Sequence, residues 1–175
     1  MAAQQCGDDD GYLLFHDQGT VANGVLPDNK EWKHQMKDVE LKDLEEKDVL
    51  GIGSFGKVTL VQHKKTGETY ALKAVSKYRV VKTGQEEHII NEKRVLTMLD
   101  SPFCVRLFAT FKTETMIYFL TEVVLGGELF TVLRYNEKFD KNATRFYAGC
   151  VVMALEHLHS MDIIYRDLKP ENLLI

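Results

Sequence analysis

Gly51-Ile52-Gly53-Ser54-Phe55-Gly56-Lys57-Val58 satisfies two phosphate-loop patterns at once. As G-x-G-x-x-G it fits a dinucleotide-binding unit, and as G-x-x-x-x-G-K it is nearly a P-loop. Both of those folds need a helix directly after the loop, so that its N-terminal dipole meets the phosphate. Here Gly56 leads instead into Val58, Leu60 and Val61 and then Lys65-Thr66-Gly67, which reads as a strand and a turn. Val58 also stands where a P-loop needs Ser or Thr to hold Mg²⁺. A third reading is a glycine loop between antiparallel strands, which lets backbone N–H groups approach phosphates with no Cβ in the way. On this motif alone, a plain glycine-rich hairpin is the remaining alternative.

The neighbouring sequence supplies the context. Val49 and Ile52, Val58 to Val61, and Tyr70-Ala71-Leu72 with Ala74-Val75 mark three short strands. Residues 85–99 read as a helix with Ile89, Glu92, Leu96 and Leu99 on one stripe. Val105–Phe111 and Met116–Val123 form a strand pair across Lys112–Thr115, and a short helix follows Gly126-Gly127 to about Arg134. Asp140 then caps the clearest helix, where Ala143, Phe146, Tyr147, Cys150, Val151, Ala154, Leu155 and Leu158 keep i, i+3, i+4, i+7 spacing. Ile163-Ile164 and Leu173–Ile175 read as short strands near the end. Strands, helix, strands and then helices is an α+β order, not an alternating βαβ one.

The 175 residues suffice for one compact domain and not for two. The net charge of -4 is uneven: residues 1–50 carry 5 basic and 12 acidic side chains, residues 51–175 carry 17 and 14. An acidic leader on a mildly basic body argues against nucleic acid as a partner and suits a site that handles phosphates. No apolar run approaches the ~20 residues of a membrane span, and the N-terminus has neither a signal layout nor the glycine of a myristoylation site. Cys6, Cys104 and Cys150 lack metal-ligand spacing, so buried reduced thiols and a cytoplasmic location are expected. Residues 1–42 read as a mostly flexible extension or linker, with Trp32 and Met36 packing onto the body.

Two further stretches carry chemistry. Lys73 lies inside the apolar strand Tyr70-Ala71-Leu72-Lys73-Ala74-Val75, on the face of Ala71 and Val75, while Glu92 lies on the apolar stripe of the next helix. Each is a poor place for a lone charge, and pairing them relieves both. A fixed pair would hold the ammonium against triphosphate oxygens, each contact on the order of 4 kcal/mol before desolvation. The alternative is a partly exposed salt bridge worth under ~1 kcal/mol. The second stretch is Tyr165-Arg166-Asp167-Leu168-Lys169-Pro170-Glu171-Asn172, where a proline forces a loop between Asp167 and Asn172. Phosphoryl transfer to a hydroxyl needs such parts: a carboxylate to orient the hydroxyl, a cation for the γ-phosphate and an oxygen ligand for Mg²⁺.

Gly51–Val58, Lys73, Glu92 and Asp167–Asn172 stand in the order found in protein kinases, and residues 43–175 resemble that family. The resemblance implies a kinase-like α+β fold: an N-lobe over 43–121 with a five-stranded antiparallel sheet and one main helix, a hinge at 122–127 and the first part of a helical C-lobe over 128–175. It implies ATP and Mg²⁺ as cofactors. Gly53, Ser54, Phe55 and Gly56 would cover the phosphates, Gly51 and Ile52 would also bind the nucleotide, Lys73 would grip the α- and β-phosphates while paired with Glu92, and Asn172 would hold one Mg²⁺. Asp167 would be the catalytic carboxylate, assisted by Lys169. Val58, Ala71 and Leu174 would sandwich adenine, Glu122 and Val124 would bond it through the backbone, and Thr121 would guard the rear pocket. Lys169 following Asp167-Leu168 is similar to serine/threonine kinases.

Phe108–Phe111, Leu125–Phe130, Thr144–Tyr147 and Tyr165-Arg166-Asp167 resemble the AGC group, the cGMP-dependent kinases slightly more than the cAMP-dependent ones. That likeness implies that Glu128 and Glu171 bind basic residues ahead of a target Ser or Thr, that Glu128 also contacts the ribose, and that a cyclic-nucleotide-binding regulatory domain or subunit is a partner. The chain stops at Ile175, ahead of the second Mg²⁺-binding aspartate of the family. It is therefore expected to be a fragment, and a non-catalytic nucleotide-binding or regulatory role is the alternative for the chain taken by itself.

Overall fold

In the computed structural model, which describes residues 13–14, 39–53 and 56–175, the alternating stretches form strands. In chain order these are β1 (Leu13–Leu14), β2 (Leu44–Ile52), β3 (Gly56–His63), β4 (Thr69–Ser76), β5 (Leu107–Lys112), β6 (Met116–Thr121) and β7 (Leu173–Leu174). The helices are α1 (Lys77–Thr83), α2 (Glu86–Met98), α3 (Leu129–Asn136) and α4 (Lys141–His159). Described residues 39–98 and 106–123 form one compact unit; 99–105, 124–175 and β1 belong to a second.

The first unit is built on a five-stranded antiparallel sheet ordered β2-β3-β4-β6-β5. Its register sets Val58 opposite Lys73 and Lys73 opposite Phe119, with Ala71 opposite both Leu60 and Thr121. Side chains alternate across a pleated strand, so Ala71, Lys73, Val75, Phe119 and Thr121 share one face. Val80 of α1 and Ile89 and Leu96 of α2 cover that face around Val75 and Phe119. The opposite face gathers Leu44, Val61, Tyr70, Leu72 and Leu120, with Phe108 set edge-on to Tyr70 at 5.1 Å. The Thr66-Gly67 turn uses Gly67 at φ 76, where a Cβ would be strained.

Helix α1 was not read from the sequence. It is only seven residues, too short to show a period, although Ser76 caps it and Gly84 ends it at φ 65. Helix α2 keeps Ile89, Glu92 and Leu96 of the predicted stripe, but it ends at Met98, and Leu99 packs with the core of the second unit instead.

In the second unit the Asp140 carboxylate accepts the Ala143 N–H at 2.7 Å and starts α4. Cys150, Ala154 and Leu158 form its buried seam against Cys104, Leu129 and Leu173. The stripe is narrower than its sequence suggested, with Phe146 45% exposed. Ile163-Ile164 is not a strand, because the Ile163 N–H donates to Leu158 O at 3.0 Å and closes the end of α4. Trp32, Met36 and Cys6 lie outside the described residues.

Burial pushes the Cys104 thiol up to about 11, and the Cys150 thiol also shifts upward for the same reason. The folded Cys104 thiol thus ionises less readily than a free one at 9.0, and the stability this carries is complete below that value and lost as pH rises through about 11. Iodoacetamide labelling with peptide mapping at pH 8 is expected to spare both cysteines in the native protein and to modify both in guanidinium. Rapid labelling of either without denaturant would contradict this packing.

Candidate active site

The glycine hairpin lies between β2 and β3. Its Gly53 N–H donates to Gly56 O at 2.8 Å, closing the loop; Ser54 and Phe55 lie outside the described residues. Two of its glycines serve different needs. A Cβ on Gly56 would stand 1.7 Å from the Ala74 carbonyl oxygen, so strand packing itself excludes a side chain there. Around Gly51 a Cβ would meet nothing within 4 Å, which leaves open space over the strand. Ile52 is 63% exposed beside it.

Lys73 sits in the cross-strand row Val58–Lys73–Phe119, against a phenylalanine that is fully buried. Its Nζ donates to Glu92 Oε1 at 2.9 Å, and the two side chains are 16% and 24% exposed. Glu92 reaches the lysine because it falls on α2 between Ile89 and Leu96, the residues packed on the same sheet face. One residue pair along the sheet, Ala71 is buried opposite Thr121. The Thr121 hydroxyl donates to Glu122 O at 3.3 Å, and the Glu122 N–H donates to Arg106 O at 2.9 Å. The edge of the sheet around 121–122 is thereby held in place.

The second unit carries the remaining groups. Arg166 has φ 64, and the Asp167 N–H returns to Tyr165 O at 2.9 Å, a three-residue turn of a kind rare for a residue with a side chain. Pro170 opens a 3-10 turn over Pro170–Asn172 that brings Asn172 back beneath Asp167. Asn172 is buried, and its Nδ2 donates to the Asp167 carbonyl at 3.1 Å and to Asp167 Oδ2 at 2.6 Å. Lys169 Nζ meets the same Oδ2 at 2.9 Å. A carboxylate, an ammonium and a carboxamide therefore converge, with the carboxylate held from two sides.

Val124, Glu128, Glu171 and Leu174 are half-buried in the same unit, and Glu128 bridges Leu174. The sequence marked Gly126 and Gly127 as a break ahead of a helix and as part of the AGC-like stretch, without a reason for glycine at either. A Cβ on Gly126 would lie 2.3 Å from the Ile175 carbonyl oxygen, and Gly127 takes φ 84. Their paired glycines were the available signal. Arg166 carried none, because nothing in a single arginine announces a left-handed backbone.

Among the described residues no three His, Cys, Asp or Glu side chains gather to hold a metal ion. Asp167 and Asn172 lie side by side through the Asn172 Nδ2–Asp167 Oδ2 bond, and each also carries a hard oxygen donor. That suits Mg²⁺, which takes few protein ligands and fills its octahedron with water and phosphate oxygens. Open space at Gly51 and an anchored ammonium at Lys73 suit a polyphosphate.

Comparison with known sequences agrees with this chemistry. Residues 44–175 match the protein kinase domain, and the chain belongs to that family. It is 45% identical over 162 residues to the "cGMP-dependent protein kinase, isozyme 2 forms cD5/T2" of Drosophila melanogaster, covering 92% of this chain and 17% of the relative. It is 48% identical over 135 residues to the "cAMP-dependent protein kinase catalytic subunit" of Dictyostelium discoideum, covering 77% and 21%. A "RAC family serine/threonine-protein kinase homolog" from the latter organism is 42% identical over 163 residues, covering 93% and 36%. The chain thus spans a third or so of these relatives at most, and its likeness to the AGC group stands.

Two substitutions probe the geometry. Gly56→Ala is expected to destabilise the first unit by about 1–3 kcal/mol, because the strand backbone must move away. Asn172→Ala is expected to cost about 1–3 kcal/mol through a lost buried amide and a loosened Asp167. Chemical denaturation monitored by circular dichroism measures both, and midpoints equal to wild type would contradict the contacts.

Proposed function

We propose that this protein transfers the γ-phosphoryl group of ATP to Ser or Thr hydroxyls in basic protein substrates. The observation that carries the reading is the double anchoring of the Asp167 carboxylate by Lys169 and Asn172. So held, Asp167 accepts the proton of a substrate hydroxyl as its oxygen bonds to phosphorus. Lys169 offsets charge developing on the transferred group, and Lys73, fixed by Glu92, grips the α- and β-phosphates. When bound, Mg·ATP supplies the phosphoryl group and the departing ADP. Asn172 would hold one Mg²⁺ through its carboxamide oxygen, and Gly53–Gly56 would cover the phosphates with backbone N–H groups, with Gly51 and Ile52 also against the nucleotide. Val58, Ala71 and Leu174 would contact adenine, bonded by the backbone of Glu122 and Val124 with Thr121 behind it.

Glu128 and Glu171 are the carboxylates we assign to arginines or lysines ahead of the phosphorylated residue, with Glu128 also on the ribose. We assign 43–121 to the N-lobe, 122–127 to the hinge, 128–175 to the C-lobe and 1–42 to an extension. The names of the relatives support control by a cyclic-nucleotide-binding domain or subunit. No helix among the described residues is long and apolar enough to cross a membrane. A cytoplasmic setting is the one we infer from the reduced, buried thiols of Cys104 and Cys150.

Labelled ATP and an arginine-rich peptide, assayed with the full-length protein, test the reading. Lys73→Met is expected to lower kcat by about 10²–10³. Glu171→Gln is expected to raise KM for the arginine peptide more than for a neutral one. Wild type and Lys73→Met equally inactive under activating conditions would overturn the assignment.

A further inference from the structure

The turn between β3 and β4 is Lys64-Lys65-Thr66, and all three residues are exposed. Nowhere else in the chain does a serine or threonine directly follow two consecutive lysines or arginines. Thr83 and Thr97 also lie near cations, but each hydroxyl donates into its own helix, to Arg79 O at 2.9 Å and to Lys93 O at 2.7 Å. The Thr66 hydroxyl is held differently. It donates to Glu68 Oε2 at 3.0 Å and stands 2.9 Å from His63 Nδ1. Glu68 Oε2 takes the Tyr70 hydroxyl as well, at 2.9 Å. Thr66 is thus linked through Glu68 to a tyrosine buried in the sheet core. The tip of a hairpin is where a chain opens at least cost, so this hydroxyl can leave its partners without melting a helix.

We propose that Thr66 is a phosphoacceptor for a second copy of this protein, with Lys64 and Lys65 as the cations that Glu128 and Glu171 of that copy recognise. This rests on the phosphoryl-transfer reading above and gives it a particular substrate, the β3–β4 turn of the enzyme itself. In the step, Thr66 Oγ1 bonds to the γ-phosphorus of ATP as the bond from that phosphorus to the bridging oxygen breaks. ADP leaves with the electron pair, and the hydroxyl proton passes to the Asp167 carboxylate of the acting copy. The product has no hydroxyl proton to give Glu68, and it sets a phosphate of about −1.5 to −2 charge beside that carboxylate. The link from the turn to Tyr70 is thereby cut, and His63, Lys64 and Lys65 are left as the cationic partners of the phosphate.

The test mixes the full-length wild-type protein and Mg·ATP with an isotope-labelled Lys73→Met copy as acceptor, and maps phosphopeptides by mass spectrometry. Thr66 of the acceptor is expected to be modified. Lys64→Ala/Lys65→Ala in the acceptor is expected to slow that labelling about tenfold, through the loss of two exposed ion pairs. A peptide of residues 60–70 is expected to show the same lysine dependence, and it carries that comparison if the alanine variant fails to fold. If an arginine-rich peptide is phosphorylated while Thr66 of the folded acceptor stays unmodified, the proposal is overturned and the phosphoryl-transfer reading stands. If neither is phosphorylated under activating conditions, that reading fails and the proposal falls with it. Labelling of Thr66 at an unchanged rate without the two lysines overturns recognition through them.

Discussion

An ammonium group inside an apolar sheet face must be neutralised where it stands, since burial of an unpaired charge costs several kcal/mol. Lys73 is in that position, on the face it shares with Val75 and Phe119. Its carboxylate partner has to arrive on an element packed against the same face, and α2 brings Glu92 between the two residues, Ile89 and Leu96, that make the packing. Charge pairing and apolar burial thus ask for the same docking of the helix. Neither would fix the ammonium alone: the apolar contacts tolerate sliding, and the ion pair tolerates rotation.

The second unit solves a related problem with a different device. A carboxylate that receives a proton from a substrate must be oriented and yet reachable. Asp167 is tied through Oδ2 to both an amide and an ammonium while keeping about a third of its side-chain exposure. The tie depends on a left-handed Arg166, on a proline that starts a tight turn, and on an asparagine buried beside the core of Leu129, Ala154, Leu158 and Leu173. Backbone strain at such a place persists only where the surroundings fix it. Here the surroundings are the α4 seam below and the β7 backbone alongside.

Much of this was legible in the residues. Alternation along β3, β4 and β6 announced strands, and Ile89, Glu92 and Leu96 announced a helix with one misplaced charge. The spacing of Asp167 and Asn172 around Pro170 announced a loop whose ends return to each other. What was lost was lost for identifiable reasons. Helix α1 is shorter than the window in which a period can be seen. Ile163-Ile164 looks like a strand because β-branched residues favour one, yet its N–H is taken by a helix-end carbonyl. Phe146 keeps the helical spacing but lies beyond the width of the buried seam.

The order of residues by itself determined which groups are present and at what intervals along the chain, and therefore the elements, the family and the inventory of the candidate site. Only the folded structure decided the register that sets Lys73 opposite Phe119, the grouping of 99–105 with the helical unit, and the parallel pairing of Leu13–Leu14 with Leu173–Leu174. The physical reason is range. Propensity, capping and periodicity act over a turn or two, whereas strand partners and buried charges are chosen by competition among all the surfaces the chain brings together.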